Sequence, residues 1–159
     1  MPTLRLKTSA FTPGTEIPVP FTRDGSDTSP ALAWSAPPEN TRSLALIADD
    51  PDAPGRTWVH WVLYDLPPEA RQLPEGIPPE GALTSGARQG RNDFGTIGYG
   101  GPCPPPGPAH RYYFKLYALD RTLGLPAGAT RAQVERAMRG HILAQGELMG
   151  RYGRARSSG

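Results

Sequence analysis

Cysteine is almost missing from this 159-residue chain, with Cys103 the only one. A single thiol excludes an intrachain disulfide framework and any metal site built on paired cysteines. Apolar runs are short as well. None approaches the roughly 18 residues needed to cross a bilayer, and the N-terminus "MPTLRLKTSAFTPG" has no continuous apolar core of the kind a secretory signal carries. The expectation is a soluble, cytoplasmic protein and not an integral membrane protein. Clustered positive charge is also lacking. The formal balance is +2, far from the basic stripe of a nucleic-acid binder, so no nucleic-acid partner is expected. No amphipathic basic helix or lipidation motif suggests attachment to a membrane surface.

Glycine and proline are abundant, at 19 and 20 residues. They fall between apolar runs such as "SLALIA", "WVHWVLY" and "YYFKLYAL" instead of forming one biased tract, so they mark turns between strands. The length suits one domain with its own core, placed at residues 1–153, with a frayed, disordered tail at 154–159.

Short extended segments are expected in "LRLKTSAF" and "ALAWSAPPE". Pro18 and Pro20 confine "TEIPVPFT" to an edge or a loop. "SLALIADD" is apolar at both parities and predicts a central strand covered on both faces. Further strands are predicted at Trp58–Asp65 and Arg111–Leu119. The proline-rich stretch between them, Pro67 to Ala109, is long enough to suggest a functional loop. Thr130 and Gln133 form a capping-box pattern ahead of Val134, Ala137 and Met138, which predicts a helix ending at Gly140. "LAQGELMGRY" alternates as a closing strand.

Chemistry concentrates in "DDPDAPGRTWVHW" and "GPCPPPGPAHRYYF". Alternation places His60 on one face with Trp58, Val62 and Tyr64, and His110 with Tyr112 and Phe114. Pro51 and Pro54 stiffen the backbone around Asp50 and Asp52, with the isomer of either X–Pro bond left open. His141, at the helix C-terminus, reads as structural.

Three chemistries suit two histidines and two aspartates. A mixed N/O metal site lacks an HxH or HxxxH pair to fix two ligands on one element. A hydrolase lacks a nucleophile elbow, since Ser85-Gly86 has no G-x-S-x-G frame. An anion pocket, with imidazolium donors backed by a carboxylate, uses every residue named.

The motifs D-P-D-A-P followed by W-x-H-W, and G-P-x-P-P followed by H-R-Y, occur in that order. With them the chain resembles the phosphatidylethanolamine-binding protein family, also called the Raf kinase inhibitor protein family, and looks most like its short bacterial branch. The resemblance implies a mostly β fold, in which a large central antiparallel sheet is flanked by a smaller sheet and by a helix from the C-terminal region. It implies a non-enzymatic pocket for phosphate, phosphorylethanolamine or similar anionic head groups. Asp50, Asp52, His60, Gly101, Pro102, His110 and Tyr112 match its ligand-binding positions, and Pro51, Pro54, Trp58 and Arg111 support them. Asp50 is expected to hold both His60 and His110 charged and oriented, with Asp52 and Arg111 bracing two loops.

No catalytic residue, metal or cofactor is implied. The chain ends soon after Tyr152, which suggests that it lacks the long C-terminal segment of the animal members. Arg23 stands where bacterial relatives often carry cysteine, and its expected place is a turn. A homodimer and an unidentified protein target, kinase or protease among them, stay open as alternatives, as does phosphoester hydrolysis.

Overall fold

A computed structural model describes residues 2–154. Eight strands and one α-helix follow in order: β1 (Leu6–Lys7), β2 (Leu32–Trp34), β3 (Ser43–Asp50), β4 (Trp58–Leu66), β5 (Gln72–Leu73), β6 (Arg88–Gln89), β7 (His110–Leu119), α1 (Arg131–Met138) and β8 (Ile142–Tyr152). All strand pairs are antiparallel. Five strands form the large sheet in the order β6-β4-β3-β7-β8, and three form a small sheet in the order β1-β2-β5. Among the described residues no helix is long and apolar enough to cross a membrane.

The central place of β3 follows from its side chains, all eight of which are buried. Leu44, Leu46 and Ala48 pack into a core shared with Leu6, Leu32, Trp34 and Leu73 of the small sheet. Ala45 and Ile47 face the other way, toward Val134 and Met138 of α1. An apolar run at both parities thus becomes the middle layer of a sheet–sheet–helix stack.

The strand predicted over "LRLKTSAF" shortens to Leu6–Lys7, because the Thr8 hydroxyl turns aside to donate to the Ala31 carbonyl at 2.5 Å. "ALAWSAPPE" keeps only Leu32–Trp34. The segment with Pro18 and Pro20 is a loop holding one 3-10 turn, Val19–Phe21. The outer edge of β8 is covered near both ends by the N-terminal segment, with Leu4 donating to Gln145 and Arg151 donating to Thr15.

One departure from regular alternation decides where the site forms. Ala48 of β3 pairs with Trp61 of β4, but Asp49 pairs with Val59, so β4 carries one extra residue at His60. This is a β-bulge. It puts Val59 and Val62 on the helix side together and turns His60 to the opposite side, against Tyr112. The expected common face of His60 with Val62 and Tyr64 is therefore corrected, and Trp58 alone stays with His60. His110, Tyr112 and Phe114 do share a face of β7, with the His110 and Tyr112 rings stacked at 6.4 Å.

The helix begins as its sequence predicts. The Thr130 hydroxyl accepts from the Gln133 backbone, and the Gln133 side chain accepts from the Thr130 backbone at 2.9 Å. Helical residues end at Met138, and Gly140 follows with φ of +82°. The Arg154 guanidinium binds Asp24 at 2.6 Å; the rest of the expected tail, residues 155–159, lies outside the described residues.

Loss of the N-cap is expected to cost about 1 kcal/mol. Urea unfolding of Thr130→Ala checks this, and an unchanged midpoint would show that packing alone holds α1.

Candidate functional site

The bulge, the end of β3 and the start of β7 meet at one end of the large sheet. Asp50, the last residue of β3, is only 3% exposed, and both of its oxygens are engaged. Oδ1 accepts from the Asp52 backbone N–H at 2.8 Å, closing an Asx turn over Pro51. Oδ2 lies 2.6 Å from Nδ1 of His110. An ionised carboxylate has only acceptors, so His110 donates through Nδ1 and keeps Nε2 free of protein partners among the described residues. Both X–Pro bonds, at Pro51 and Pro54, are trans.

His60 is held differently from the expectation. Its Nδ1 lies 2.6 Å from the Gly100 carbonyl, while the Gly100 N–H donates back to the His60 carbonyl at 2.8 Å. A carbonyl can only accept, so the Nδ1 proton is fixed by geometry. Burial pushes the His60 pKa below the ordinary 6.5, against the opposing pull of the Gly100 carbonyl and of Asp50. Asp50 thus orients His110 directly, whereas His60 is oriented by backbone and favours its neutral form. The expectation that one carboxylate keeps both rings charged is corrected here.

Between the two imidazoles lies a cavity of about 220 Å³, walled by Asp50, His60, His110 and Tyr112 together with Trp58, Pro54 and Phe94. Ala53 and the run Cys103 to Pro105 complete the wall. Edge-to-face contacts lock the aromatic part: Phe94 meets Trp58 at 5.6 Å and His60 at 5.5 Å, and His60 meets Tyr112 at 5.2 Å. Two buried polar atoms of this wall have no hydrogen-bond partner, the Tyr112 hydroxyl and Trp58 Nε1. Burial, and then the charge of Asp50, raise the Tyr112 pKa, so the phenol keeps its proton and remains a donor.

Other predicted site residues serve as braces. Asp52 takes two hydrogen bonds from the Arg111 guanidinium, at 2.8 and 2.9 Å, and one from the Arg111 backbone at 2.8 Å. Arg111 holds the Asp52 carboxyl down at about 2. The pair ties the 50–54 turn to the start of β7, and neither residue lines the cavity. Gly101 and Pro102 also stand outside the wall. The Gly101 N–H donates to Asp27 at 2.7 Å, and a Cβ there would come within 2.5 Å of the Phe21 carbonyl. The Pro102 carbonyl accepts from the Arg23 N–H. Arg23 does sit in a turn, and its guanidinium also covers the Phe94 ring at 4.3 Å.

Phe94 escaped sequence reasoning because no alternation marks its loop. The signal lies two residues upstream, where the Asn92 side chain accepts from the Phe94 and Thr96 N–H groups and donates to the Gly98 carbonyl. Cys103, Pro104 and Pro105 were visible as part of G-P-x-P-P, though without a wall role. Among the described residues no group of three or more His, Cys, Asp or Glu side chains is placed to hold a metal ion.

Comparison with known proteins places these features in a wider set. A family model described as phosphatidylethanolamine-binding protein matches residues 7–153. A protein of Methanothermobacter thermautotrophicus, named UPF0098 protein, is 50% identical over 151 residues, covering 95% of this chain and 99% of the relative. Another UPF0098 protein, from Aquifex aeolicus, is 53% identical over 149 residues, covering 91% of this chain and 85% of the relative. Two crystal structures superpose over nearly the whole fold. Chlamydia trachomatis CT736, described as a phosphatidylethanolamine-binding protein homologue, gives a TM-score of 0.86 at 41% identity, covering 97% of this chain and 99% of that one. Escherichia coli YbcL, described as a member of the mammalian PEBP family, gives 0.88 at 33% identity, covering 94% and 98%.

The site residues set the pH dependence of folding. The folded pKa of His60 is depressed below 6.5, so the unfolded chain takes up this proton first. The His60 contribution is complete above 6.5 and falls as pH drops beneath it. Asp52, moved from 3.8 to about 2, contributes stability above 3.8 that is lost toward pH 2. Urea midpoints measured against pH are expected to show a shallower fall between 3.8 and 2 in Asp52→Asn, and a shallower fall just below 6.5 in His60→Gln. Profiles identical to the parent chain would contradict these assignments.

Proposed function

This chain belongs to the phosphatidylethanolamine-binding protein family, and we propose that its cavity binds a phosphate-bearing anion, free phosphate or a phosphorylethanolamine head group, without turning it over. The observation that carries the reading is a cavity in which two imidazoles stand beside two buried donors that have no partner. His60 and His110, each bound to the protein through Nδ1, line it together with Tyr112 and Trp58, whose hydroxyl and Nε1 have no hydrogen-bond partner. Buried donors left unpaired cost free energy, and a polar ligand supplying acceptors removes that cost.

Asp50 and His110 resemble the base and orienter of a hydrolytic triad. Among the described residues, however, no serine, threonine or cysteine is hydrogen bonded to the free Nε2, which favours binding over nucleophilic catalysis. Asp50 still matters to a binder. An anion arriving at Nε2 favours the imidazolium, and Asp50 supports the charge from the other side of the ring. His60 has the complementary role. As a neutral ring with its proton fixed on Nδ1, it offers Nε2 as an acceptor for a P–OH group.

Binding therefore favours a phosphate that carries a proton or gains one in the cavity, and affinity falls as pH rises. NMR titration of the full chain with inorganic phosphate and then phosphorylethanolamine is expected to shift the His60 and His110 imidazole signals saturably, with those of His141 unmoved. Loss of one charge-assisted hydrogen bond is worth about 1.5–3 kcal/mol, so His110→Ala is expected to weaken phosphate roughly ten- to hundredfold. Imidazole signals that ignore both compounds, or an affinity flat across the histidine titration, would overturn the reading.

A further inference from the structure

The peptide that holds His60 is itself held from its other side. We propose that Asp27 is a positioning residue of the cavity: its carboxylate fixes the Gly100–Gly101 peptide, the peptide fixes the proton of His60 on Nδ1, and the cavity thereby selects an anion that carries a proton. The selecting half of this inference rests on the anion-binding reading above, and the half that concerns the His60 proton does not.

The Gly101 N–H donates to Asp27 Oδ1 at 2.7 Å, and the Gly100 carbonyl lies 2.6 Å from Nδ1 of His60. These two backbone groups belong to one peptide unit. It is trans, as is every peptide bond among the described residues, so its C=O and N–H point in opposite directions. Asp27 and His60 therefore stand on opposite sides of one planar unit, and the donor and acceptor roles follow in turn. An ionised carboxylate only accepts, so the N–H must face Asp27. The carbonyl must then face His60, and because a carbonyl also only accepts, Nδ1 carries the proton. A neutral ring protonated there has its lone pair on Nε2. Turned over, the peptide would set its carbonyl against the Asp27 carboxylate and its N–H against the ring, reversing the tautomer.

The glycines create the need for such a clamp. A peptide between two glycines meets the least steric resistance to turning over. Neither glycine can be exchanged where it stands, since a Cβ on Gly100 would come within 2.6 Å of the Phe94 ring and one on Gly101 within 2.7 Å of Asp27 Oδ1. Orientation is thus left to hydrogen bonds, and Asp27 supplies the charge-assisted one. The aspartate has φ of +56°, a left-handed value that residues other than glycine seldom adopt, and its own N–H donates to the Thr22 carbonyl at 3.1 Å. Its second oxygen lies 3.6 Å from the Arg23 guanidinium, the group that covers Phe94. One turn of chain therefore anchors both the peptide behind His60 and the aromatic ring at the edge of His60.

The test uses the isotopically labelled full chain at a pH where His60 is neutral. With no anion present, imidazole nitrogen shifts report which ring nitrogen carries the proton, and titrations with inorganic phosphate and with sulfate then give the two affinities. The parent chain is expected to show His60 protonated on Nδ1 alone and to prefer phosphate. Asp27→Gly, which suits the left-handed backbone, is expected to show both tautomers, and its preference for phosphate over sulfate should fall roughly tenfold, the scale of one mismatched hydrogen bond. Asp27→Asn keeps an acceptor oxygen and also tolerates this backbone, so the single tautomer should return. Asp65→Gly serves as the control. Asp65 shares the φ of +56° and accepts from the Leu123 and Gly124 N–H groups at 2.6 and 3.0 Å, but near the far end of β4, so this variant should keep the tautomer and preference of the parent.

A single Nδ1-protonated His60 with unaltered preference in Asp27→Gly would overturn the proposal. Equal losses in Asp65→Gly would do the same, by marking a general loosening of the fold. Should Asp27→Gly fail to fold, the parent chain decides the matter through the coupling between the Gly101 amide nitrogen and the Asp27 carboxyl carbon across their hydrogen bond: its presence with His60 protonated on Nδ1 is expected, and its absence, or a proton on Nε2, overturns the clamp. If the parent binds neither anion, the anion-binding reading falls and takes the selection with it, while the tautomers of the parent and of Asp27→Gly still decide whether Asp27 fixes His60.

Discussion

The site depends on a carboxylate placed where it has almost no water. Asp50 ends the central strand, buried on the sheet face shared with Tyr112 and His110, and a charge there is tolerable only if its oxygens are answered. One is answered by the next turn of chain, the Asp52 N–H, and the other by the His110 ring. The first contact shapes the Asp50–Pro54 turn. The second fixes which nitrogen of His110 carries a proton and which is offered to the cavity. Asp52, freed from the cavity by this arrangement, locks the turn to β7 through Arg111. Removing the Asp50 charge would therefore disturb the turn, the imidazole and the cavity together.

The preceding residue shows how tightly this end of the sheet is specified. Asp49 points to the opposite face, is 4% exposed, and meets Lys115 at 3.2 Å and Arg131 of α1 at 3.8 Å. Two adjacent carboxylates thus serve two layers, one joining the sheet to the helix and the other building the cavity. A one-residue slip of β3 would exchange them, bringing Asp49 toward the cavity and Asp50 toward α1, where neither would find its partners. The charges act as register marks as well as site groups.

The same logic explains what the sequence made legible. β3, β4 and β7 stood out because their apolar patterns are decided locally by burial, and Thr130 with Gln133 announced α1 because a capping box is a local hydrogen-bond pattern. His110, Tyr112 and Phe114 kept their common face because β7 is regular there. His60 did not keep its expected face, because a bulge is a property of two strands in register and leaves no mark in β4 alone. Its Gly100 partner lies forty residues away, on a loop without periodicity. Phe94 was hidden for the same reason. Motif resemblance named Asp50, His60, His110 and Tyr112, which line one cavity, without saying that Asp52, Gly101 and Pro102 stand behind the wall, since motifs identify positions and not the direction in which an atom points.

The balance of charge around the cavity constrains how an anion could be held there. The arginines around it are already engaged, Arg111 by Asp52, Arg154 by Asp24, Arg56 by Asp93 and Arg23 by Asp27, and the wall itself contains a carboxylate. Under the binding reading proposed for it, attraction to an anion cannot come from surplus positive charge. It must come from oriented donors, together with one acceptor on neutral His60 that only a proton-bearing ligand satisfies. Phosphate near neutral pH carries such a proton, whereas sulfate does not and would set its lone pairs against that of Nε2. On that reading the cavity would distinguish two tetrahedral anions of similar size by a hydrogen atom, because burial favours neutral His60 and the Gly100 carbonyl holds its proton on Nδ1.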